Sequence, residues 1–226
     1  MGRSVVTNES PRCERCLLPP RWCLCEVQHE VACPLAIDVL MHAKEAVKPT
    51  STGHLIRRLL TGSRQHIFGG QDIPLDRDSI IRPGKELWVL HPRGEPMPQV
   101  DDPSGIQVLL LDGSWKQSVR MMQSVDGWGR KISLPMQGES RFWLRTQHEE
   151  GNFSTMEALL FVLQALGLHV QEHDLRLQFE LHVYAGLRLR GNKALAEEFL
   201  SNSPIRGELG EFLELLCAKR PNPRSI

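Results

Sequence analysis

The chain of 226 residues has no net charge, 27 Lys and Arg standing against 27 Asp and Glu, so its overall balance does not draw it to nucleic acid. It has no long hydrophobic run either. The longest stretch without a charged residue in its second half, Ala158 to Val170, is 13 residues, short of the roughly 20 that span a bilayer. The opening MGRSVVTNESPRCERC lacks the apolar segment of a secretory signal, and the expected compartment is therefore the reducing cytoplasm. There is no internal repeat or low-complexity segment. Neither common Gly-rich phosphate loop occurs, nor does a Ser/His/Asp or HExxH arrangement. What is left is a globular composition, 41% hydrophobic with 18 Gly and 15 Pro, long enough for one domain with an appendage or for two small domains.

The neutral total conceals local charge. Between Met41 and Gln65 lie Lys44, Lys48, Arg57, Arg58 and Arg64 against Glu45 alone. A second basic stretch holds Lys116, Arg120, Arg130, Lys131, Arg141 and Arg145 against Asp126 and Glu139. The acidic counterweight sits late, at Glu197, Glu198, Glu208, Glu211 and Glu214. Either basic stretch reads as a nucleic-acid surface or as solvated charge on helices.

Four of the six cysteines, Cys13, Cys16, Cys23 and Cys25, stand as C-x2-C-x6-C-x-C. Two close thiolate pairs are what a tetrahedral zinc ion takes from a short loop, and metal binding supplies folding energy that an apolar-poor segment lacks. A disulfide is the poorer alternative in a reducing compartment, and Cys23 and Cys25 are too close in sequence to bridge comfortably. Cys33 and Cys217 have no partner at such spacing and read as buried small hydrophobes, although Cys33 and His29 leave open which four groups bind. A zinc held by four cysteines has no open position, so its role is structural or RNA-facing.

Residues 1–33 thus read as a small zinc-binding module, and 34–226 as an α/β domain with a helical C-terminal extension. LAIDVLMH predicts a strand, and HLIRRLL a helix behind Thr52 as its N-cap. Apolar runs at Gln65–Phe68, Leu87–Leu90, Val108–Leu111 and Lys131–Leu134 read as buried strands of a mostly parallel sheet. WKQSVRMMQ predicts a helix with Trp115, Val119 and Met122 on its apolar face. Ser154, with Glu157 three positions on, opens another with a capping box. The chain from Val170 onward reads as mainly helical, ending in a polar RPNPRSI tail.

Ligands of open α/β sheets bind where the strands' carboxyl ends meet their loops. Asp112, after four apolar residues and before a Gly that permits close approach, is either a site carboxylate or a cap on the following helix. Trp115 is either core or a base-stacking surface. In SRFWLRTQHEEGNFSTME, Arg141 and Arg145 alternate with Phe142 and Trp143, a pattern that suits RNA backbone and unstacked bases and equally suits an amphipathic strand with charged flanks.

CERCLLPPRWCLC, LMHAKEAVKPTSTGHLI, LLLDGSW with WKQ, and an R-x3-R segment leading into EGNFSTMEAL together resemble the DTW-domain family of tRNA-uridine aminocarboxypropyltransferases. The family's D-x-T-W signature is matched by Asp112, Gly113, Ser114 and Trp115, with serine in place of threonine. The resemblance implies a SPOUT-like fold with a knotted pocket, and S-adenosylmethionine as donor of a 3-amino-3-carboxypropyl group. It also implies transfer to N3 of a tRNA uridine, commonly position 47, with release of methylthioadenosine. On this reading Asp112, Ser114 and Trp115 are catalytic, and Lys48, Arg57, Arg58, Lys116, Arg141 and Arg145 contact tRNA. Leu90, His91, Pro92, Leu111, Gly113, Leu134, Pro135, Ser154, Thr155 and Glu157 surround the co-substrate. No obligatory protein partner is expected, and the chain is a monomer or homodimer. The alternatives are a SPOUT-type RNA methyltransferase and a non-catalytic zinc-bearing RNA-binding module.

Overall fold

The computed structural model describes residues 11–48, 50–69, 75–145 and 152–218. The chain divides into two compact units, one of Glu30–Ser140 with His148–Leu175, the other of Met1–His29 with Arg141–Gln147 and Arg176–Ile226.

The first unit is α/β. Its strands are β1 (Ala36–His42), β2 (Arg64–Phe68), β3 (Glu86–Pro96), β4 (Ile106–Asp112) and β5 (Arg130–Ser133). They form one sheet in the order β2-β1-β4-β3-β5, with every pairing parallel. The central strands β1, β4 and the first part of β3 are buried and carry continuous apolar runs, whereas the edge strands β2 and β5 are only partly buried. The helices of this unit are α1 (Ala43–Ala46), α2 (Thr52–Leu59), α3 (Arg77–Ile80), α4 (Trp115–Ser124) and α5 (Thr155–Ala165). On one face of the sheet Leu40, Leu87, Val89 and Leu109 bury Met121, Met122 and Val125 from α4 and its end. On the other, Val39 and Met41 meet α2 at Gly53, and α5 packs on α2 and β4.

Two expectations are corrected. The N-cap of α2 is Ser51, not Thr52. The apolar face of α4 is Met121 and Met122, while Trp115 is 66% and Val119 42% exposed. Strand β3 also runs beyond Leu90 to Pro96. Leu90 and Glu95 both lie opposite Ile132, so His91 to Gly94 bulge from the ladder, as chains do beside sites. Gly94 is required there, because a Cβ would come within 2.6 Å of the Lys131 and Ile132 backbone.

Inside β1, Asp38 is fully buried. Its carboxylate accepts from Arg64 Nε at 2.7 Å, His66 Nε2 at 3.0 Å, Arg82 Nε at 2.8 Å and Gln107 Nε2 at 2.9 Å. One carboxylate therefore joins β1, β2, β4 and the segment entering β3.

The second unit holds the cysteine-rich segment, the part of α6 (His169–Leu189) from Arg176 onward, α7 (Lys193–Ser201), α8 (Ile205–Glu208) and α9 (Gly210–Ala218). A 3-10 turn, Pro20–Trp22, anchors the segment to the helices. The guanidinium groups of Arg21 and Arg188 lie 4.6 and 5.2 Å from the Trp22 ring. Arg21 donates to the carbonyls of Leu216 and Cys217. The residues RPNPRSI fall outside the described part of the chain. No described helix is long and apolar enough to cross a membrane.

Candidate active site and metal centre

The strand order creates one switch point. From β1 the chain moves to β2 on one side, from β4 it moves past β3 to β5 on the other, and β1 and β4 are neighbours. A crevice opens outside the carboxyl ends of such a pair. Asp112 ends β4 there, opposite Met41 of β1.

Asp112 is 5% exposed, and each of its oxygens accepts from a hydroxyl. Ser51 Oγ donates to Oδ2 at 2.6 Å and Thr155 Oγ1 to Oδ1 at 2.7 Å. Ser51 caps α2 and Thr155 begins α5, so the carboxylate sits at two helix starts, where negative charge is favoured. Met156 N donates to Thr52 Oγ1 at 3.4 Å, a second tie between the same helices. Gly53 makes this approach possible, since a Cβ there would lie 2.7 Å from Asp112 Oδ2 and 2.6 Å from Met41 Cε. The helix α4 is capped by Ser114, whose N–H donates to Gln117 Oε1 at 2.7 Å. Asp112 is thus not its cap, and Ser114 is.

Parallel pairing puts the other predicted strand-end residues on the same edge of the sheet. Trp88 lies opposite Val108 and Val89 opposite Leu109, so Leu90 and Asp112 face the same side. Leu90, Leu111 and Leu134 are half-buried, and Pro92 and Pro135 are exposed. His91 Nδ1 accepts from Arg93 N at 3.1 Å. Burial, Lys131 and Arg93 hold its imidazole below the usual histidine range. Gly113 lies against Met121 and Gln117 of α4. Ser154 and Glu157 lock the start of α5, Ser154 N donating to Glu157 Oε2 at 2.7 Å while Ser140 Oγ donates to the same carboxylate at 3.0 Å.

Nothing in the sequence marks Ser51 or His42 as site residues, and Thr52 reads there only as a helix cap. The two hydroxyls stand in STG before an apolar helix, but their partners, Asp112 and Met156, lie 61 and 104 residues away in sequence. His42 ends β1, and its Nδ1 accepts from Lys44 N at 3.1 Å. Burial, then Lys44 and Arg120, press its imidazole below the usual range.

In the second unit the Sγ atoms of Cys13, Cys16, Cys23 and Cys25 lie within 4.8 Å of one another. Cys13 and Cys25 are 3.4 Å apart, Cys16 and Cys23 3.8 Å. Zinc–sulfur bonds of about 2.3 Å put tetrahedral sulfurs about 3.8 Å apart, so the set fits the ion. Among the described residues the group includes neither His29 nor Cys33. Backbone hydrogen bonds from Cys16 and Arg15 draw the Cys13 thiol down to about 6, which makes it a ready thiolate at neutral pH. Burial pushes Cys16 up and Cys25 to about 12. Leu17 has φ of 60°, a left-handed conformation costing roughly 1–2 kcal/mol.

The expected RNA contacts are placed unevenly. Arg57 and Lys116 are exposed, and Arg58 is half-buried. Lys48 pairs with Glu45 at 2.5 Å. Arg141 turns inward, donating to Glu180 Oε2 and the Phe199 carbonyl and lying 3.9 Å over the Phe199 ring. Arg145 lies 5.7 Å from the Phe142 ring. Thr146 to Gly151, which include the start of EGNFSTMEAL, fall outside the described residues.

The sequence matches the DTW domain over residues 10–187. Among curated proteins, tRNA-uridine aminocarboxypropyltransferase 2 of Drosophila melanogaster is 26% identical over 170 residues, spanning 70% of this chain and 68% of the relative. No solved structure matches.

Proposed function

The chain belongs to the DTW-domain family, and from that premise we propose that it is a tRNA-uridine aminocarboxypropyltransferase. Its donor on this reading is S-adenosylmethionine, its acceptor N3 of a tRNA uridine such as that at position 47, and its by-product methylthioadenosine. The observation that carries the proposal is the Asp112 carboxylate, buried at the β1/β4 switch point within the family's signature and held by Ser51 and Thr155.

The residues at this edge suit the donor. Leu90 and Leu134 offer apolar surface for the nucleoside, beside the backbone at His91, Pro92, Leu111, Gly113 and Pro135, while the Leu111 side chain packs toward α4. A fixed carboxylate favours a neighbouring cation. The bound donor supplies a sulfonium-activated carbon. The protein must orient that carbon, rather than the methyl, toward the uracil nitrogen, and orientation of this kind is worth several kcal/mol of barrier. A carboxylate has about four acceptor sites, and Ser51 and Thr155 occupy two. The remaining lone pairs of Asp112 accept the N3 proton as attack proceeds. Ser114, Ser154 and Glu157 hold the starts of α4 and α5 in register with it.

The knotted, SPOUT-like pocket belongs to the proposal. So does the division of labour between a zinc-bearing module in residues 1–33 and a catalytic region in 34–226. Lys48, Arg57, Arg58, Lys116 and Arg145 remain the proposed tRNA contacts, while Arg141, turned inward onto Glu180 and Phe199, supports that surface rather than touching the RNA.

Mass analysis of tRNA nucleosides from cells with and without the protein tests the reading. Aminocarboxypropyluridine should disappear with the protein and return with the purified enzyme and donor. A missing methyl mark in its place would make the protein a methyltransferase, and an unchanged nucleoside profile would overturn the transferase reading.

A further inference from the structure

An amphipathic helix ordinarily turns its large apolar side chains to the core, and α4 does so only in part. Met121 and Met122 are buried, whereas Trp115 is 66% and Val119 42% exposed. These two are one turn apart, so they form a continuous apolar strip on the outer surface. Lys116 and Arg120, also four apart, are exposed beside it. Neither has an ion-pair partner among the described residues. Burial and then Lys44, Arg120 and Lys48 press the His42 imidazole down against the opposing Glu45, so Arg120 stands near the end of β1. The strip begins three residues past Asp112.

We propose that α4 is the docking strip for the unstacked part of the RNA, with Trp115 stacking on a nucleobase and Lys116 and Arg120 contacting the flanking phosphates. An exposed indole gains little from water and much from a base's π-face. The adjoining unpaired cations favour an RNA occupant over an apolar peptide or a second copy of the chain. Trp115 on this reading is a positioning residue that sets the uridine near Asp112. The inference rests on RNA being the substrate, but it stands or falls separately from the transfer chemistry.

The test is equilibrium binding of a labelled single-stranded oligouridylate and of a tRNA transcript to the zinc-loaded full chain, without donor, at several salt concentrations. Three variants are compared with the parent: W115A, W115F and the pair K116Q/R120Q. W115A should lose about tenfold in affinity with its salt slope unchanged, and W115F should stay within about threefold of the parent, since stacking needs a ring and carries no charge. K116Q/R120Q should flatten the salt slope by about one to two counterions. Melting temperatures should not move, because the side chains are exposed. RNA affinity within about twofold of the parent in W115A overturns the proposal, as does a W115F as weak as W115A. Loss of donor affinity in W115A with RNA binding intact would assign Trp115 to the donor and overturn it too. Because no transfer is required, the binding signature can survive failure of the transferase reading. Conversely, full transfer by a W115A protein with normal RNA affinity would sink this inference alone.

Discussion

A buried carboxylate whose two oxygens each receive a hydroxyl can serve as a clasp, as a base, or as both, and substitutions at Asp112 and its donors separate these roles. In Asp112→Asn the amide still accepts from one hydroxyl and donates to the other, so the tie between α2 and α5 persists while the proton acceptor is gone. Single-turnover transfer to a tRNA transcript at saturating donor should fall by about 100- to 10,000-fold, with the melting temperature nearly unchanged. The double variant S51A/T155V keeps the carboxylate and removes both donors. It should lower stability by about 2 kcal/mol and reduce transfer less than Asp112→Asn does. If Asp112→Asn stays within about threefold of the parent rate, well below the range for a general base, proton transfer by Asp112 is not an important contribution. If S51A/T155V reproduces the loss in full, clasping alone accounts for it. Gly53→Ala probes the same geometry from above, because its methyl would lie 2.7 Å from Asp112 Oδ2. Both melting temperature and transfer should fall.

At the scale of elements, the sheet depends on a second buried carboxylate at the opposite end of β1. Burial pushes Asp38 up, but hydrogen bonds from His66, Arg64 and Arg82 outweigh it and hold the group below the usual carboxylate range. A carboxyl depressed on folding contributes stability above its unfolded value near 4, lost as pH falls through the folded value. The parent should therefore lose stability in acid from about pH 4 downward, and Asp38→Asn should lose much of that dependence. At neutral pH the variant should be less stable by about 3 kcal/mol, the low end for a broken buried pair because Arg64 and Arg82 reach water. Denaturant titrations at pH 7 and at about pH 3, inside the window where the loss occurs, check both statements, and equal acid sensitivity in the two proteins would remove Asp38 as its source. In the sequence this residue is one polar letter inside LAIDVLMH, and nothing local announces partners 26 to 69 positions away. The central strands were legible because burial on both faces demands apolar runs, and the partly buried edge strands β2 and β5 show that signal only weakly. Helix α5 was legible too, because its capping box is a local device. Helical periodicity aligns Trp115 with Met122, but only the later part of α4 and its end, at Met121, Met122 and Val125, lies against the sheet, and the first turn stands clear of it. Asp112 was legible as a candidate, but its hydroxyl donors arrive from two other elements.

For the whole molecule, the four cysteines do more than order their own loop, because Trp22 and Arg21, between Cys16 and Cys23, are tied to α6 and α9. Trp22 receives the Arg188 guanidinium, Arg188 donates to Tyr184 Oη at 2.8 Å, and Arg21 reaches the last carbonyls of α9. A loop carrying one left-handed leucine and few apolar residues has little reason to keep this shape without the ion, whose binding energy is also folding energy. The purified chain should carry about one zinc. Its removal by a chelator should loosen the second unit as a whole, and the β-sheet unit, with its own apolar core, should stay folded. Hydrogen exchange of the zinc-loaded and chelated protein reads this directly. Protection should be lost around Trp22, Tyr184–Arg190 and α9, and retained in β1 and β4. Cys13→Ser with Cys16→Ser should reproduce the pattern without chelator. Unchanged protection in α6 and α9 after complete zinc removal would confine the metal to its loop, and a full zinc complement in the double variant would remove these cysteines as its ligands.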